Sequence, residues 1–356
     1  MDNSAQASPP ADSAPIPVGV VGCGRMGKFH ARIYSKLPGA VLLGMYDANF
    51  DVAEAAAAEV GCQAFRDLGE LLAQVKAVTI ATPTATHLAV AEACFAAGVS
   101  CLIEKPLAKN IADAQRMVAA ARASGVTVQV GHIERFNPAI RAMDRLDIRP
   151  GFIEVIRISP MTFRSIDVGV VLDMMIHDID IVLRLAGSPI ENIAAVGVSV
   201  IGDVEDICNA RITFQSGCVA NMTASRLALK TERKLRVFSR DAYVSLDYQK
   251  RYGIVARRSG NLQAIRDAVA RIRSGEVEDL TQLDFADLVQ VEELAIDDTE
   301  PLRAELESFL HSVRTGAPPQ VPIEDGAAAV RAALQIVDAI APQLGGLDME
   351  SEAPRP

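Results

Sequence analysis

The chain has 356 residues, half of them hydrophobic, so it is long enough to bury two hydrophobic cores, and two domains are expected. Its formal net charge of -10 argues against general attraction to nucleic acid or to an anionic membrane surface. The six cysteines include no Cys-x-x-Cys pair, so we expect reduced thiols in a cytoplasmic protein.

The two ends of the chain differ from the rest in composition. The first residues are rich in Ala, Ser and Pro and lack the basic start and apolar run of a signal peptide. We expect residues 1–15 to be a disordered leader and residues 344–356 to be a loose tail. No segment of the sequence is apolar over the length that a bilayer span needs.

Residues 16–132 alternate short apolar runs with amphipathic helical stretches, the pattern of a parallel sheet with crossover helices. The predicted strands are 18–21, 41–46, 77–81, 99–103 and 126–130. The helical windows between them include 51–59, 86–97 and 112–123. This alternation predicts an α/β, doubly wound Rossmann domain over 16–132.

The pattern changes in residues 133–343. One helical window, 170–186, precedes strand-like stretches at 190–201, 207–214, 218–225, 234–238 and 243–248. Short turns between them predict an α+β domain with a largely antiparallel open sheet, which could expose one face to a partner subunit in a homo-oligomer, a dimer or tetramer. Residues 259–298 give no clear elements, and helices are predicted at 300–315 and 324–341.

A glycine motif follows the first predicted strand and opens a helical pattern. Its residues are Gly22, Gly24, Arg25, Met26 and Gly27. Glycines at these spacings permit a tight turn, a close approach of the backbone to a pyrophosphate, and close packing of helix on strand. Asp47 ends the next strand about 20 residues on, where a carboxylate accepts hydrogen bonds from the adenosine ribose. The motif predicts NAD rather than NADP; the alternative is a glycine-rich turn beside a surface aspartate.

Three further polar segments follow predicted strands, where a doubly wound sheet binds ligands: 81–87, 104–106 and 131–138. Cofactor contacts are expected from Thr82, Thr84, His87, Glu104 and Lys105. Lys105 lies between an acid and a proline and is the candidate that donates to a substrate oxygen and helps to move a proton. The alternative is an ordinary solvated lysine.

The helical window 170–186 carries a second candidate set. Asp173 and His177 are four residues apart and share a helix face, so the carboxylate can orient the imidazole. His177 could then accept an alcohol proton as hydride leaves the adjacent carbon, although such a spacing also occurs by chance. We interpret His30 and His311 as plain helix residues. No side-chain set has metal-ligand spacing, so no metal is predicted.

Taken together, residues 22–27, Glu104-Lys105-Pro106 and the pair Asp173 and His177 resemble the glucose-fructose oxidoreductase, inositol dehydrogenase and rhizopine-catabolism (Gfo/Idh/MocA) family. The resemblance extends over residues 16–341. It implies a Rossmann domain followed by an α/β domain whose open sheet mediates oligomerisation. It also implies catalytic roles for Lys105, Asp173 and His177.

Within that family, residues 131–138 and 167–180 are most similar to UDP-N-acetylglucosamine 3-dehydrogenases. This similarity implies oxidation of the sugar C3 hydroxyl to a ketone, which an aminotransferase converts to an amine for the diamino sugars of lipid A. It further implies that Arg135, Asn137 and Arg164 face the nucleotide-sugar, with the planar fork of Arg164 suited to a diphosphate.

Two alternatives stay open. A free polyol or monosaccharide such as inositol would need no diphosphate site. A regulatory protein on the same fold would sense NAD without turnover, but such proteins tend to lose the catalytic lysine or histidine, and both are present here as Lys105 and His177.

Overall fold

The computed structural model describes residues 14–162, 167–258, 262–275 and 289–344. These residues form two compact units. The first comprises the chain up to Phe136 together with Thr299–Gln335, and the second comprises Asn137–Asp298 with the residues from Ile336 onward. Most of the predicted leader and of the predicted tail lies outside the described residues.

The first unit contains a six-stranded parallel sheet in the order β3-β2-β1-β4-β5-β6. Its strands are β1 Ile16–Val21, β2 Ala40–Tyr46, β3 Gln63–Phe65, β4 Ala77–Ile80, β5 Ser100–Glu104 and β6 Val128–Gly131. Its crossover helices are α1 Arg25–Tyr34, α2 Phe50–Val60, α3 Leu68–Leu72, α4 His87–Ala96 and α5 Ile111–Ser124. The predicted doubly wound fold is confirmed, with β3 and α3 as additions too short to show in the pattern.

Local chemistry sets the limits of these helices. The side chain of Asn110 accepts a hydrogen bond from the Asp113 backbone N–H at 2.7 Å and so caps the start of α5. Gly125 ends the same helix in the left-handed conformation, with φ of 69°. The helix therefore has a side-chain cap at its start and a glycine at its end.

The first unit also takes up chain from beyond the second. Helix α9, Pro301–Thr315, belongs to it, as does α10, Ile323–Leu344, as far as Gln335. Leu306, Phe309 and Leu310 of α9 join the core cluster that includes Val18 and Val20 of β1. The sequence predicted one continuous second domain over 133–343, but the structure assigns Thr299–Gln335 to the first unit. The reason is that the apolar face of α9 is buried on the N-terminal sheet.

The second unit contains an eight-stranded sheet in the order β14-β13-β12-β11-β7-β10-β9-β8. Its strands are β7 Pro150–Ile158, β8 Ile190–Val198, β9 Ile207–Phe214, β10 Val219–Ser225, β11 Glu232–Ser239, β12 Ala242–Asp247, β13 Tyr252–Arg258 and β14 Val289–Glu293. All pairs are antiparallel except β7 with β10. The largely antiparallel sheet is confirmed.

Among its described residues, the second unit also contains the helices α6 Pro138–Met143, α7 Ile176–Ala186 and α8 Leu262–Arg273, together with the end of α10 from Ile336. Helix α8 and strand β14 lie within residues 259–298, for which the sequence pattern predicted no elements. Among the helices of the described residues, none has both the length and the hydropathy of a membrane span.

Candidate active site

The glycine loop joins β1 to α1, and close packing explains two of its three glycines. Gly22 has φ of 93°, and a Cβ there would lie 2.7 Å from the Ala81 carbonyl carbon and oxygen. A Cβ on Gly27 would lie 1.8 Å from the Gly22 carbonyl oxygen. A Cβ on Gly24 would meet none of the described residues within 4 Å. The loop therefore presents open space over its second glycine, where a pyrophosphate would approach.

The N-terminus of α1 is open to an anion. Gly24 is its N-cap, and no side chain of the described residues caps it. Backbone N–H groups and the positive end of the helix dipole therefore face the loop. Arg25 is exposed and lies over the Phe29 ring at 5.5 Å, while Met26 is half-buried. These features fit the pyrophosphate of a dinucleotide.

Asp47 follows β2 and is tied to the same loop. One oxygen of its carboxylate accepts a hydrogen bond from the Cys23 backbone N–H at 2.8 Å, and the other accepts one from the Asn49 N–H at 3.0 Å. Each oxygen keeps a further lone pair, which can accept a hydrogen bond from a ribose hydroxyl. The predicted position for the adenosine ribose is thus held in place by the backbone around it.

The loops after β4 and β5 are joined by His87. Its Nε2 lies 2.9 Å from the Thr82 carbonyl oxygen, and its Nδ1 lies 3.1 Å and 3.2 Å from those of Pro106 and Leu107. Burial lowers the pKa of His87, which favours the neutral ring. The ring therefore lies between the two loops and donates its one N–H to a carbonyl of one or the other, and its predicted contact with the cofactor stays a prediction.

Two threonines lie on the β4 side of this connection. Thr82 Oγ1 is buried and has no hydrogen-bond partner among the described residues. Thr84 begins a short 3-10 turn and is half-buried. The Thr82 hydroxyl is thus a polar group that a bound cofactor can satisfy.

Lys105 follows the last residue of β5 and is half-buried. Its backbone N–H donates to Glu104 Oε2 at 3.3 Å, and Glu104 Oε1 lies 2.8 Å from His30 Nε2. Burial raises the pKa of Glu104, but the hydrogen bond from His30 and the charge of Lys105 outweigh it and hold that pKa below its ordinary value. An ionised carboxylate thus lies beside the candidate proton-handling lysine.

The interpretation of His30 as a plain helix residue is wrong. Its side chain is fully buried and contacts both Glu104 and the Thr79 hydroxyl. Gly27, His30, Ala31 and Tyr34 form the buried stripe of α1. A histidine within an apolar stripe at helical spacing needs polar partners, and this signal was present in the sequence.

The residues predicted to face a nucleotide-sugar have the following surroundings. Arg135 is buried in the first unit, where its guanidinium pairs with Asp325 at 2.9 Å. Asn137 caps α6 by accepting a hydrogen bond from the Ala139 N–H at 3.0 Å. Arg164 lies outside the described residues. Their contacts with substrate stay predictions.

In the second unit, Asp173 and His177 lie on consecutive helical turns of different kinds. Asp173 is in a π-helical turn, Val171–Met175, and His177 is in the first turn of α7. The Ile176 N–H bonds to the Val171 carbonyl, five residues back, where a regular helix would bond four back. Both candidates are half-buried. Single π-helical turns occur frequently at functional sites.

Buried charges from distant strands hold the start of this π-helical turn. Glu205 Oε1 accepts a hydrogen bond from the Val171 N–H at 3.1 Å. Arg226 donates to the Val168 carbonyl at 2.8 Å and pairs with Asp206 at 2.6 Å. These residues gave no sequence signal, because the pattern does not show that the loop before β9 and the end of β10 meet the turn.

A second buried ion pair fixes α7 to β7. The Arg157 guanidinium donates to both carboxylate oxygens of Asp178 at 2.7 Å and 2.8 Å, and both side chains are less than a tenth exposed. Bidentate pairs of this kind constrain orientation as well as distance. The helix that carries His177 is therefore held firmly on the sheet of its own unit.

Comparisons with known proteins identify the family. The family model described as the oxidoreductase family, NAD-binding Rossmann fold, matches residues 16–132, and the GFO/IDH/MocA C-terminal domain model matches residues 159–245. UDP-N-acetylglucosamine 3-dehydrogenase of Acidithiobacillus ferrooxidans is 40% identical over 231 residues, which are 65% of this chain and 73% of that protein. The chain belongs to the Gfo/Idh/MocA oxidoreductase family.

Other members support this assignment. A solved structure of the Acidithiobacillus ferrooxidans enzyme superposes with a TM-score of 0.83 at 33% identity, over 93% of this chain and 99% of that one. Inositol 2-dehydrogenase of Rhizobium meliloti is 33% identical over 229 residues, 59% of this chain and 68% of that protein. As a Gfo/Idh/MocA protein, this chain is an NAD-dependent oxidoreductase, and the predicted family, cofactor and enzyme class are confirmed.

Proposed function

We propose that the protein oxidises the C3 hydroxyl of UDP-N-acetylglucosamine to a ketone, with NAD as the hydride acceptor. The observation that carries the proposal is the likeness to UDP-N-acetylglucosamine 3-dehydrogenase, which extends at 33% identity over 93% of this chain and 99% of that one. This coverage includes the second unit, which carries the candidate substrate residues Asn137, Asp173 and His177.

The chain's own residues handle the proton in this reaction. NAD, when bound by the cofactor residues, would supply the hydride acceptor, so the hydroxyl proton of the sugar has to leave to a base. Lys105 and His177 are the proposed proton-handling residues, and Asp173 orients the His177 imidazole. The ammonium of Lys105 can donate a hydrogen bond to the hydroxyl oxygen. Either residue can serve as the base.

Lys105 is proposed to contact both the cofactor and the substrate, and the other residues are assigned to one or the other. The proposed cofactor residues are Gly22, Gly24, Arg25, Met26, Gly27, Asp47, Thr82, Thr84, His87, Glu104 and Lys105. For the nucleotide-sugar we propose Arg164 on the diphosphate, with Asn137 and Arg135 nearby. The ion pair of Arg135 with Asp325 accounts for that residue without a substrate, so Arg135 is the weakest member of the set.

We further propose a cytoplasmic homo-oligomer whose product is consumed by an aminotransferase, as in the formation of diamino sugars for lipid A. Exposed apolar side chains on one strand of the second unit's sheet support the oligomer, since Val196 and Val198 of β8, which share a face, are 52% and 37% exposed. All six cysteines are unpaired, which fits a reducing compartment.

The proposal is tested by following NADH formation, through its absorbance, with purified protein and NAD. The candidate substrates are UDP-N-acetylglucosamine, UDP-glucose, myo-inositol and glucose. A sugar-nucleotide aminotransferase with glutamate is added to pull an unfavourable oxidation forward. Turnover with UDP-N-acetylglucosamine alone supports the proposal. Turnover with inositol or glucose keeps the family and removes the nucleotide-sugar, an alternative favoured by the inositol dehydrogenase relative.

The Lys105→Ala variant separates catalysis from cofactor binding. Without the ammonium, turnover should be abolished while NAD still binds, as measured by calorimetric titration. Activity equal to the wild type would remove Lys105 from the mechanism. Binding of NAD by the wild type, with no turnover of any substrate, would favour the sensor protein.

A further inference from the structure

Three ionisable side chains meet in the interior of the first unit, behind the loop that carries Lys105. They are His30 of α1, Glu104 at the end of β5 and Glu305 of α9. One imidazole nitrogen of His30 and one carboxylate oxygen of each glutamate all lie within 4.8 Å of one another. His30 and Glu305 are fully buried, and Glu104 is 9% exposed. The mechanism proposed above uses neither His30 nor Glu305.

Glu305 has an unusual environment for a carboxylate. Both of its carboxylate oxygens are buried without a hydrogen-bond partner among the described residues. The neighbouring Gln129 donates from Nε2 to the Glu305 backbone carbonyl at 3.1 Å, and its own Oε1 is likewise without a partner in the described part of the chain. An ionised carboxylate is very costly in such a site, whereas a protonated one brings a donor of its own.

Glu104 has the opposite environment. It accepts hydrogen bonds from His30 and from the Lys105 backbone N–H. His30 Nδ1 lies 3.2 Å from the Thr79 hydroxyl, which lies 3.2 Å from the Tyr34 hydroxyl. A continuous set of polar contacts therefore runs from the interior of α1 to the peptide of Lys105.

Two carboxyl groups this close in a dry interior do not both ionise. Burial, together with the charges of Glu104 and Glu300, raises the pKa of Glu305 well above its ordinary value. The hydrogen bond from His30 favours the charged form of Glu104. Burial raises the pKa of Tyr34 as well, so its phenol stays neutral and contributes no charge. Among the described residues that face the cluster, Glu104 is therefore the carboxyl group that ionises.

We propose that Glu305 is a neutral acid, so that Glu104, held by His30, is the ionised carboxylate of this cluster beside Lys105. Negative charge beside Lys105 is then limited to one carboxylate. His30 is a positioning residue, since it acts through Glu104, and Glu305 acts by staying uncharged. The proposal rests on the proposed function only in taking Lys105 as a proton-handling residue.

The first test needs no substrate. Glu305→Gln keeps the shape and neutrality of the proposed acid and cannot titrate. When folding raises the pKa of an acid, the folded protein becomes less stable relative to the unfolded chain as pH rises from the unfolded pKa, about 4.3, toward the folded pKa. The melting temperature of the variant minus that of the wild type should therefore increase between about pH 5 and about pH 9. A difference that does not change with pH overturns the proposal.

Infrared difference spectroscopy observes the proton directly. At neutral pH the wild type should show the carbonyl stretch of a buried carboxylic acid, and Glu305→Gln should lack it. Absence of this band from the wild type overturns the proposal. Elemental analysis of the dialysed protein that finds one tightly held metal ion, lost in Glu305→Gln, also overturns it, because the cluster would then be a metal site.

The assignment of the charge to Glu104 is tested by the pH dependence of kcat/KM. Glu305→Gln should keep the wild-type profile with kcat/KM within about threefold. Glu104→Gln removes the negative charge from this site and should move the profile to lower pH. An equal movement in Glu305→Gln would show that Glu305 carries charge and overturn the proposal. The thermal and infrared results do not depend on which sugar is the substrate. The proposal for Glu305 and the proposed oxidation of UDP-N-acetylglucosamine can therefore be refuted independently.

Discussion

Substituting alanine for Gly24 should weaken NAD binding, whereas substituting alanine for Gly27 should destabilise the folded protein. At Gly27 the new Cβ would lie 1.8 Å from the Gly22 carbonyl oxygen, so the loop and α1 must move apart by about 1.5 Å to reach contact distance. The partner is backbone and cannot rotate away. We expect Gly27→Ala to lose about 1–3 kcal/mol of unfolding free energy, the range for overpacked sites.

Gly24→Ala is the matched change with open space around it. Its Cβ meets none of the described residues within 4 Å, and its φ of -68° suits alanine. The free energy of unfolding without NAD should therefore stay within about 0.5 kcal/mol of the wild type. The same methyl group would occupy the space of the pyrophosphate, so the Kd for NAD should rise at least about tenfold, a loss of about 1.4 kcal/mol.

Two measurements on each variant decide the outcome: thermal unfolding without NAD and calorimetric titration with NAD. Wild-type affinity in Gly24→Ala would refute the placement of the pyrophosphate over the glycine loop. Wild-type stability in Gly27→Ala would refute the packing argument, since a Cβ at 1.8 Å from a carbonyl oxygen cannot be accommodated without movement.

Three further predictions concern the groups that hold the site. Asp47→Ala should raise the KM for NAD far more than that for NADP, because the ribose acceptor is lost; an unchanged preference between the two would contradict the assignment. Asp178→Asn removes the negative charge that pairs with the buried Arg157 guanidinium and should remove about 3–5 kcal/mol of unfolding free energy in urea titrations; a loss below about 1 kcal/mol would contradict this. Glu205→Ala removes the acceptor for the Val171 N–H and should lower kcat without changing the Kd for NAD, whereas Glu205→Gln, which keeps an oxygen there, should stay near the wild type.

Local sequence patterns predicted the first unit well, because four of its parallel strands, β1, β4, β5 and β6, are almost completely buried and its helices carry their own end signals. β4 and β5 are buried throughout, so their residues are mostly apolar and do not alternate with polar ones. The pattern was less informative in the second unit. β7, Pro150–Ile158, was missed although its residues alternate in burial, and it pairs in parallel with β10, far along the chain.

In the candidate site, too, some features could be predicted from the local sequence and others could not. The glycine loop and Asp47 follow from local spacing, since the proposed phosphate and ribose contacts come from the turn and the strand end themselves. The π-helical turn that carries Asp173 does not, because one extra residue in a helical turn leaves the hydrophobic period almost unchanged. Its support by Glu205 and Arg226 also depends on strands that are distant in sequence.

What the sequence alone determined was the fold class, the NAD site and the identity of the candidate chemical groups, because periodicity and short motifs are local properties. Only the tertiary structure decided which polar side chains share a buried volume. Glu305 looks like an ordinary charged residue of α9 until that helix returns to the N-terminal sheet and places it beside His30 and Glu104. Burial, and with it protonation state, is a property of that packing and not of the residue.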